Sequence, residues 1–335
     1  MHRRSFLAGA GTAALALQGQ TRAPVRLGVD LFSLRSQGWT PFEYLDYCHK
    51  WGAKVVHFSE IRFLRSLEPE HLKSVRAHAE KLGIEVEIGM RSICPTSKMF
   101  DPSQGTAEEQ IARMIRSAKI IGSPIVRAVL GSSDDRKGAV PLEQNIENTA
   151  KVLRAVRSQV VDNGLKIAIE NHAGDMQARE LKMLIEEAGK DFVGACLDSG
   201  NPLWTIEDPH LTLETLAPYV LTSHIRDTAV WRVPEGAAVA WVRMGEGNIG
   251  IDAYVRKYTE LCAGRALSLE VIVVGQPRIF AYRNPAFWAA YRKTPAWEFA
   301  RFVKLVEDGQ PHPNPAPVTK DQAAARERED FEGSM

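Results

Sequence analysis

The stretch Leu165–His172, LKIAIENH, decides how the rest of the chain is read. It is a short apolar run, β-branched at Ile167 and Ile169, that ends in an acid, an amide and an imidazole. Such a run reads as a buried strand whose last residues emerge at one end of a sheet. Residues two apart on a strand share a face, so Glu170 and His172 should point together and Asn171 away. Three later runs end likewise: FVGACLDSGN with Asp198, YVLTSHIRD with His224 and ALSLEVIVV with Glu270. Four strands would each bring one hard or borderline metal ligand to a shared mouth.

Outward from that stretch, strand-like and helical patterns alternate. The strands fall at Val25–Phe32, Lys54–Glu60, Ile84–Met90 and Pro124–Leu130, then near 165–170, 192–197, 219–226 and 267–274. The helices fall at Pro41–Trp51, Pro69–Leu82, Thr106–Ile121 and Pro141–Asn163, then near 178–188, 209–217, 250–263 and 285–307. Eight of each, joined by short connections, predict an α/β fold of the (β/α)₈ barrel type, a single domain over residues 24–309. The two longest connections, about Ile93–Gln104 and Asp227–Asn248, follow strands, which is where barrel enzymes carry substrate loops.

Composition bounds the rest. The chain has 335 residues, 44% hydrophobic and 25% charged, enough for the core of one barrel. Residues 1–23 hold three arginines and no acid, so the formal charge of +1 becomes 39 basic against 41 acidic residues from Pro24 onward. That balance offers no nucleic-acid surface. Cys48, Cys94, Cys196 and Cys262 lack CxxC spacing, which removes the usual thiolate zinc site and leaves buried free thiols. Residues 1–23, MHRRSFLAGAGTAALALQGQTRA, pair two arginines with a short small-residue apolar run. They read as a twin-arginine-type export signal, hence a periplasmic protein, and as too short for a permanent membrane span. Residues 310–335 are proline-rich and then charged, an extension expected to be mobile or to wrap the barrel.

Catalytic groups of a barrel come from the C-terminal ends of several strands. Glu170, Asp198, His224 and Glu270 would lie side by side on strands five to eight. Three carboxylates and one imidazole suit a divalent ion, Mn²⁺ first, with Mg²⁺, Co²⁺ or Zn²⁺ as further choices. Any one of them is more often structural: a strand-end Asp before Ser-Gly-Asn makes a turn, and a Glu pairs with an arginine. Their ordered recurrence is what points to a metal. His172 is an extra base candidate, since an imidazole of pKa about 6.5 exchanges protons at neutral pH. Its other role is as a hydrogen-bonding support. Arg226 shares a face with His224 and would hold a substrate hydroxyl or carboxylate. His57, Glu87 and Arg127 lie near the mouths of strands two, three and four, and a buried Glu87–Arg127 ion pair competes with substrate contact. Trp204, Trp231 and Trp241 follow ligand strands and offer flat faces to sugar C–H groups. The turn Gly245–Gly250 reads as a tight connection, since no lysine follows to complete a phosphate cradle.

The ordered motifs IENH at 169–172, CLDSGNP at 196–202, HIRD at 224–227, GEGNI at 245–249 and LSLEV at 267–271 carry a resemblance. From Val25 to about Glu307 the chain resembles the xylose isomerase-like TIM barrels, which include ketose 3-epimerases, hydroxypyruvate isomerase and inosose dehydratase. The resemblance puts Glu170, Asp198, His224 and Glu270 on that family's four metal positions and makes Glu170 and Glu270 its acid and base. Two features depart from the pattern. Asn201 stands where ketose epimerases usually have histidine, and the insertion bearing Trp231 and Trp241 is longer than in the smallest members. The endonuclease branch needs additional histidines for three zinc ions, which His57 and His172 cannot supply. The resemblance implies a metal-dependent isomerase or epimerase of an unphosphorylated sugar or polyol derivative, working through an enediolate. The alternative is a lyase that eliminates from a keto-glycoside or inosose, which the tryptophan-bearing insertion favours modestly. From another class comes a non-catalytic sugar-binding barrel. A homo-oligomer is compatible with either, although no interface is legible.

Overall fold

Wholly buried strands alternate with amphipathic helices along the chain, and the sheet they build is parallel. The structure is a computed structural model that describes residues 25–313 and 315–335, so the export-signal reading lies outside the described residues. The first seven strands are β1 (Arg26–Asp30), β2 (Val55–Phe58), β3 (Glu85–Ser92), β4 (Ile125–Val129), β5 (Lys166–Glu170), β6 (Val193–Asp198) and β7 (Val220–His224). An antiparallel pair follows, β8 (Asp227–Val233) and β9 (Gly236–Val242), then β10 (Ala266–Leu269) and the short β11 (Arg278–Phe280). The parallel sheet runs in the order β10-β1-β2-β3-β4-β5-β6-β7. Its two edges meet through Ile225, whose N–H donates to Ser268 O (2.7 Å) and whose carbonyl accepts from Glu270 N–H (2.9 Å). That contact closes the cylinder, the (β/α)₈ arrangement expected.

The longer helices are α1 (Pro41–Lys50), α2 (Pro69–Leu82), α3 (Ala107–Ile121), α4 (Leu142–Asp162), α5 (Ala178–Ala188), α6 (Pro209–Leu216), α7 (Ile251–Leu261), α8 (Ala296–Asp308) and α9 (Lys320–Ser334). Local chemistry sets their ends. In α3, Thr106 and Glu109 form a capping box and Gly122 closes the helix in the left-handed region. Between these ends Ile111, Met114, Ile115 and Ala118 recur on one buried face. Each large side chain removed from water there contributes about 1.5–3 kcal/mol, so the helix is fixed by packing more than by its caps.

Three departures from the sequence reading concern the mouth. The connection after β7 is not a loop: β8 and β9 form a hairpin, and β11 adds to β9 by pairing Ile279 with Ala238. The eighth barrel strand stops at Leu269, so Glu270 sits just beyond it. The helix expected from residue 285 begins at Ala296, after a 3-10 turn (Pro285–Ala290) and Pro295. Proline disfavours helical geometry in the residue before it, which explains the late start. The charged C-terminal segment forms α9. Its Glu327 accepts from Ser36 N–H (2.7 Å) and Ser36 O–H (2.8 Å), and Phe331 is fully buried beside Tyr47 and Trp51. All four cysteines are buried and free. No helix among the described residues is long and apolar enough to cross a membrane.

Candidate metal centre and substrate cavity

Strand register decides which side chains meet. Val129 on β4 is level with Glu170 on β5, Glu170 with Cys196 on β6, and Asp198 with His224 on β7. One atom from each of Glu170, Asp198, His224 and Glu270 therefore lies within 4.8 Å of the other three, and all four residues are buried. His224 Nδ1 faces Glu170 Oε2 at 3.0 Å and Glu270 Oε2 at 3.2 Å, yet makes no hydrogen bond. A buried imidazole nitrogen crowded by carboxylate oxygens without bonding to them matches a ligand set around a dication. Cys196 offers its sulfur to Glu170 and His224 within the same reach. Burial pushes that thiol up to about 12, so it is the poorer donor.

Two guanidinium groups enter the cluster. Arg127 Nε donates to Glu170 Oε2 (2.6 Å), and its Nη1 donates to Met90 O (3.2 Å). Arg226 Nη2 donates to Asp198 Oδ2 (2.6 Å) and also contacts Glu270 Oε2. Burial alone would raise both glutamates. Arg127 and His224 outweigh it at Glu170, holding that carboxyl well below its usual range, and Arg226 and His224 hold Glu270 at about 2. Asp198 goes the other way, up to about 7, because burial exceeds the help from Arg226. Its Oδ1 also accepts N–H bonds from Gly200 (2.7 Å) and Asn201 (2.8 Å), which make the turn that opens here. Asn171, pointing away from the mouth, exchanges two hydrogen bonds with the Asp198 backbone and ties β5 to β6.

Above the cluster lies a cavity of about 230 Å³ whose polar wall includes Ser59, Glu60, Arg91, Arg127, His172, Asn201, Arg226 and Glu270. Phe32, Met99, Trp241 and Ile272 supply apolar surface. A larger recess, about 550 Å³, opens at the opposite end of the barrel between residues such as Lys166 and Val220 and lacks the ligand set. In barrels the chemistry belongs at the C-terminal end of the strands, so the smaller cavity is the relevant one. Glu270 and His172 reach its wall, whereas Glu170 is closed off beneath Arg127 and Asn201. His172 Nδ1 lies 2.6 Å from Gly131 O, so Nδ1 carries the proton and Nε2 keeps a lone pair. Burial lowers the His172 pKa, which keeps it a neutral base.

The other predicted residues separate. Arg226 and Arg127 line the cavity. Glu87 does not pair with Arg127, because Arg127 is level with Gly89, two residues further along β3. Glu87 instead accepts from Thr222 Oγ1 (2.6 Å), and burial raises its carboxyl to about 7. His57 lies below the ligand set, with its Nδ1 2.9 Å from His224 Nε2. Trp241 lines the cavity and stacks on Trp204, ring centroids 4.4 Å apart. Trp231 packs on the other side of the hairpin against Ala229, Ala238 and Ala240, away from the cavity. The Gly245–Gly250 turn is a connection held by Asp227, whose Oδ2 accepts from Gly245 N–H (2.9 Å) and Gly247 N–H (3.0 Å). A Cβ at Gly247 would come 2.2 Å from Asp227 Oδ1, so only glycine fits. Asp30 and Arg91 were missed. Asp30 ends β1 as Glu170 ends β5, and that strand-end signal could have found it.

A family profile described as xylose isomerase-like TIM barrel matches residues 45–288. The chain belongs to that family. Among curated relatives it is similar to 3-oxo-isoapionate decarboxylase from Pectobacterium atrosepticum, 24% identical over 204 residues, covering 60% of this chain and 66% of that protein. Among solved structures it is similar to D-psicose 3-epimerase from Clostridium cellulolyticum H10, with a TM-score of 0.60 at 12% identity, covering 84% of this chain and 96% of that one. The IolI protein with a bound zinc atom gives a TM-score of 0.56 at 17% identity, covering 84% of this chain and 96% of that one. At those identities the structural likeness speaks for the barrel. Within that barrel, Glu170, Asp198, His224 and Glu270 are the candidate divalent-metal ligands.

Proposed function

We propose that the protein is a divalent-metal-dependent isomerase or epimerase of a small, unphosphorylated keto sugar or polyol derivative. The observation that carries this reading is the placement of two separate bases, Glu270 and His172, on the wall of one cavity over the ligand set. Glu170, Asp198, His224 and Glu270 would hold the ion, with Mn²⁺ favoured by three hard oxygens and one nitrogen. A dication there lowers the cost of negative charge on a carbonyl oxygen and its neighbouring hydroxyl oxygen. Arg226 orients the substrate and adds positive charge beside those oxygens. Glu270 removes the C–H proton of the hydroxyl-bearing carbon beside the carbonyl, giving an enediolate, and His172 Nε2 serves as its proton-transfer partner. Trp241 covers a C–H face and keeps water out. The export reading of Arg3 and Arg4 places this chemistry in the periplasm, where free sugars are met more often than sugar phosphates.

Bond cleavage from the same enediolate is the second reading. The Trp204–Trp241 stack beside the cavity gives a leaving group a surface to rest on, and one relative is named a decarboxylase. Protein loaded in turn with Mn²⁺, Mg²⁺, Co²⁺ and Zn²⁺ would be incubated with free ketoses and keto-glycosides in deuterated water. Isomer or epimer products labelled next to the carbonyl support the first reading. Fragment release without interconversion of any ketose would replace it with the second. Sugar binding that survives Glu170→Gln, with no turnover in either protein, would leave only a binding barrel.

A further inference from the structure

The cavity carries more positive charge than a neutral sugar calls for. Of its three arginines, Arg127 is committed to Glu170 and to the Met90 carbonyl. Arg226 is 2% exposed and uses Nη2 on Asp198 and Glu270, while the Trp241 ring lies 4.4 Å from its central carbon. Its Nε and Nη1 are buried without a hydrogen-bond partner. Leaving charged donors unpaired in a buried site is costly, so such donors point to a ligand. Arg91, on β3, is exposed on the wall of the same cavity, with Asp101 the acid that feels its charge. Of the two acids on the wall, Glu270 belongs to the ligand set and Glu60 is paired with Arg62 at 2.5 Å. Asn201 Oδ1 is a buried acceptor without a partner, suited to a substrate hydroxyl.

Charge bookkeeping favours an anion. Glu170, Asp198 and Glu270 bring three negative charges, and Arg127 and Arg226 return two. A dication makes the set positive by one before Arg91 is counted. Asp30, 3.4 Å from His224 Nε2, and Glu87, beside His57, lie below the ligand set and do not line the cavity, so their charge is not what a bound substrate meets first. The glycine turn offers no phosphate cradle, because the N–H groups of Gly245 and Gly247 are already taken by Asp227.

We propose that the substrate bears a carboxylate held between Arg226 and Arg91, so that the protein selects keto sugar acids over neutral ketoses. Arg226 keeps two charged donors on different edges, Nε and Nη1, so one of them takes one carboxylate oxygen while the Arg91 guanidinium takes the other. The proposal deepens the reading of a keto sugar enzyme and rests on it for the chemistry, although recognition is testable alone. Titration calorimetry of the Mn²⁺-loaded protein would compare 2-ketogluconate with fructose, which differ at C1 as carboxylate against hydroxymethyl. The acid is expected to bind about 10- to 100-fold tighter, the range of a hydrogen bond to a charged group. Arg91→Ala should shrink that ratio by about tenfold, and Arg91→Lys should restore most of it, since the long-range charge returns. Equal affinities, no binding of either sugar, or a ratio unmoved in Arg91→Ala would each overturn the proposal. Tight acid binding without turnover of either sugar would uphold it and sink the isomerase reading. Epimerised fructose with no acid binding would do the reverse.

Discussion

Glu207 and Glu170 are buried alike, 2% and 0% exposed, and the two are treated in opposite ways. Glu207 accepts only from neutral donors: Ala178 N–H at 3.0 and 3.2 Å on its two oxygens, and Thr212 Oγ1 at 2.6 Å. Burial then lifts its carboxyl to about 7. It ties the start of α5 to α6, every bond is made, and nothing is left over. Glu170 faces a guanidinium and an imidazole instead, stays well below its usual range, and has neighbours with unpaired nitrogens. Depth of burial does not separate a structural acid from a chemical one. The charge and the spare valence of its partners do.

The widest gap between the two should appear on neutralising each. Glu170→Gln is expected to lower turnover by about a thousandfold or more, roughly 4 kcal/mol of barrier, because a metal ligand is removed. Its melting temperature should fall as well, because the buried Arg127 guanidinium loses the charge it pairs with, so turnover is the readout that separates the two acids. Unchanged kcat on whichever keto sugar is found to be a substrate would erase the distinction. Glu207→Ala should cost stability alone. Two buried donors lose their acceptor, so stability to urea should fall by about 2–4 kcal/mol while turnover per folded molecule is kept. A drop in turnover without a drop in stability would place Glu207 in the chemistry.

A finer measurement uses pH. The folded Glu207 carboxyl titrates near 7, above its ordinary 4.5, so protonation favours the folded state. Its contribution is complete below pH 4.5 and is lost as pH rises through 7. Wild type should therefore lose up to about 3 kcal/mol relative to Glu207→Gln across that window, at 1.36 kcal/mol per pH unit. Parallel stability–pH curves for the two proteins would show that this acid is not held neutral.

Only the Glu170 side of this contrast was readable in advance, and the failures share a cause. Glu170, Asp198, His224 and Glu270 were visible because each ends an apolar run, and a barrel brings strand ends together whatever the intervening length. Pairing across strands was not visible, since it depends on stagger. Arg127 looked like a partner for Glu87 until the register set it level with Gly89. The hairpin hid because β9, GAAVAWV, is alanine-rich and β11 joins it only from residue 278 onward. With the hairpin unseen, Trp231 and Trp241 looked equivalent. Trp231 opposes Ala238, three residues before Trp241 on β9, and an odd separation puts the two rings on opposite faces. Asp30 was hidden because Leu31 and Phe32 continue the apolar run past it, so the expected strand, Val25–Phe32, did not end at the acid.

The smallest expected effect concerns His57, which makes the cluster more than four ligands. His57 and His224 are both fully buried, their rings 4.8 Å apart, and His57 Nδ1 lies 2.9 Å from His224 Nε2. If His224 is to offer the Nδ1 lone pair to an ion, its proton must sit on Nε2 and be donated to His57. His57 is suited to accept: burial first, then the charges of His224 and Arg127, push its pKa far down and keep it neutral. His57→Ala removes that acceptor and frees the His224 ring to turn toward Asp30 Oδ2, 3.4 Å from Nε2 and without a hydrogen bond. Mn²⁺ affinity, measured by electron paramagnetic resonance titration, should weaken about 10- to 100-fold, with kcat at saturating metal affected less. His57→Gln, which keeps an acceptor, should recover much of the loss. If alanine and glutamine weaken binding equally, His57 acts by filling space rather than as an acceptor, and the line between the two regions must be drawn at the four ligands alone.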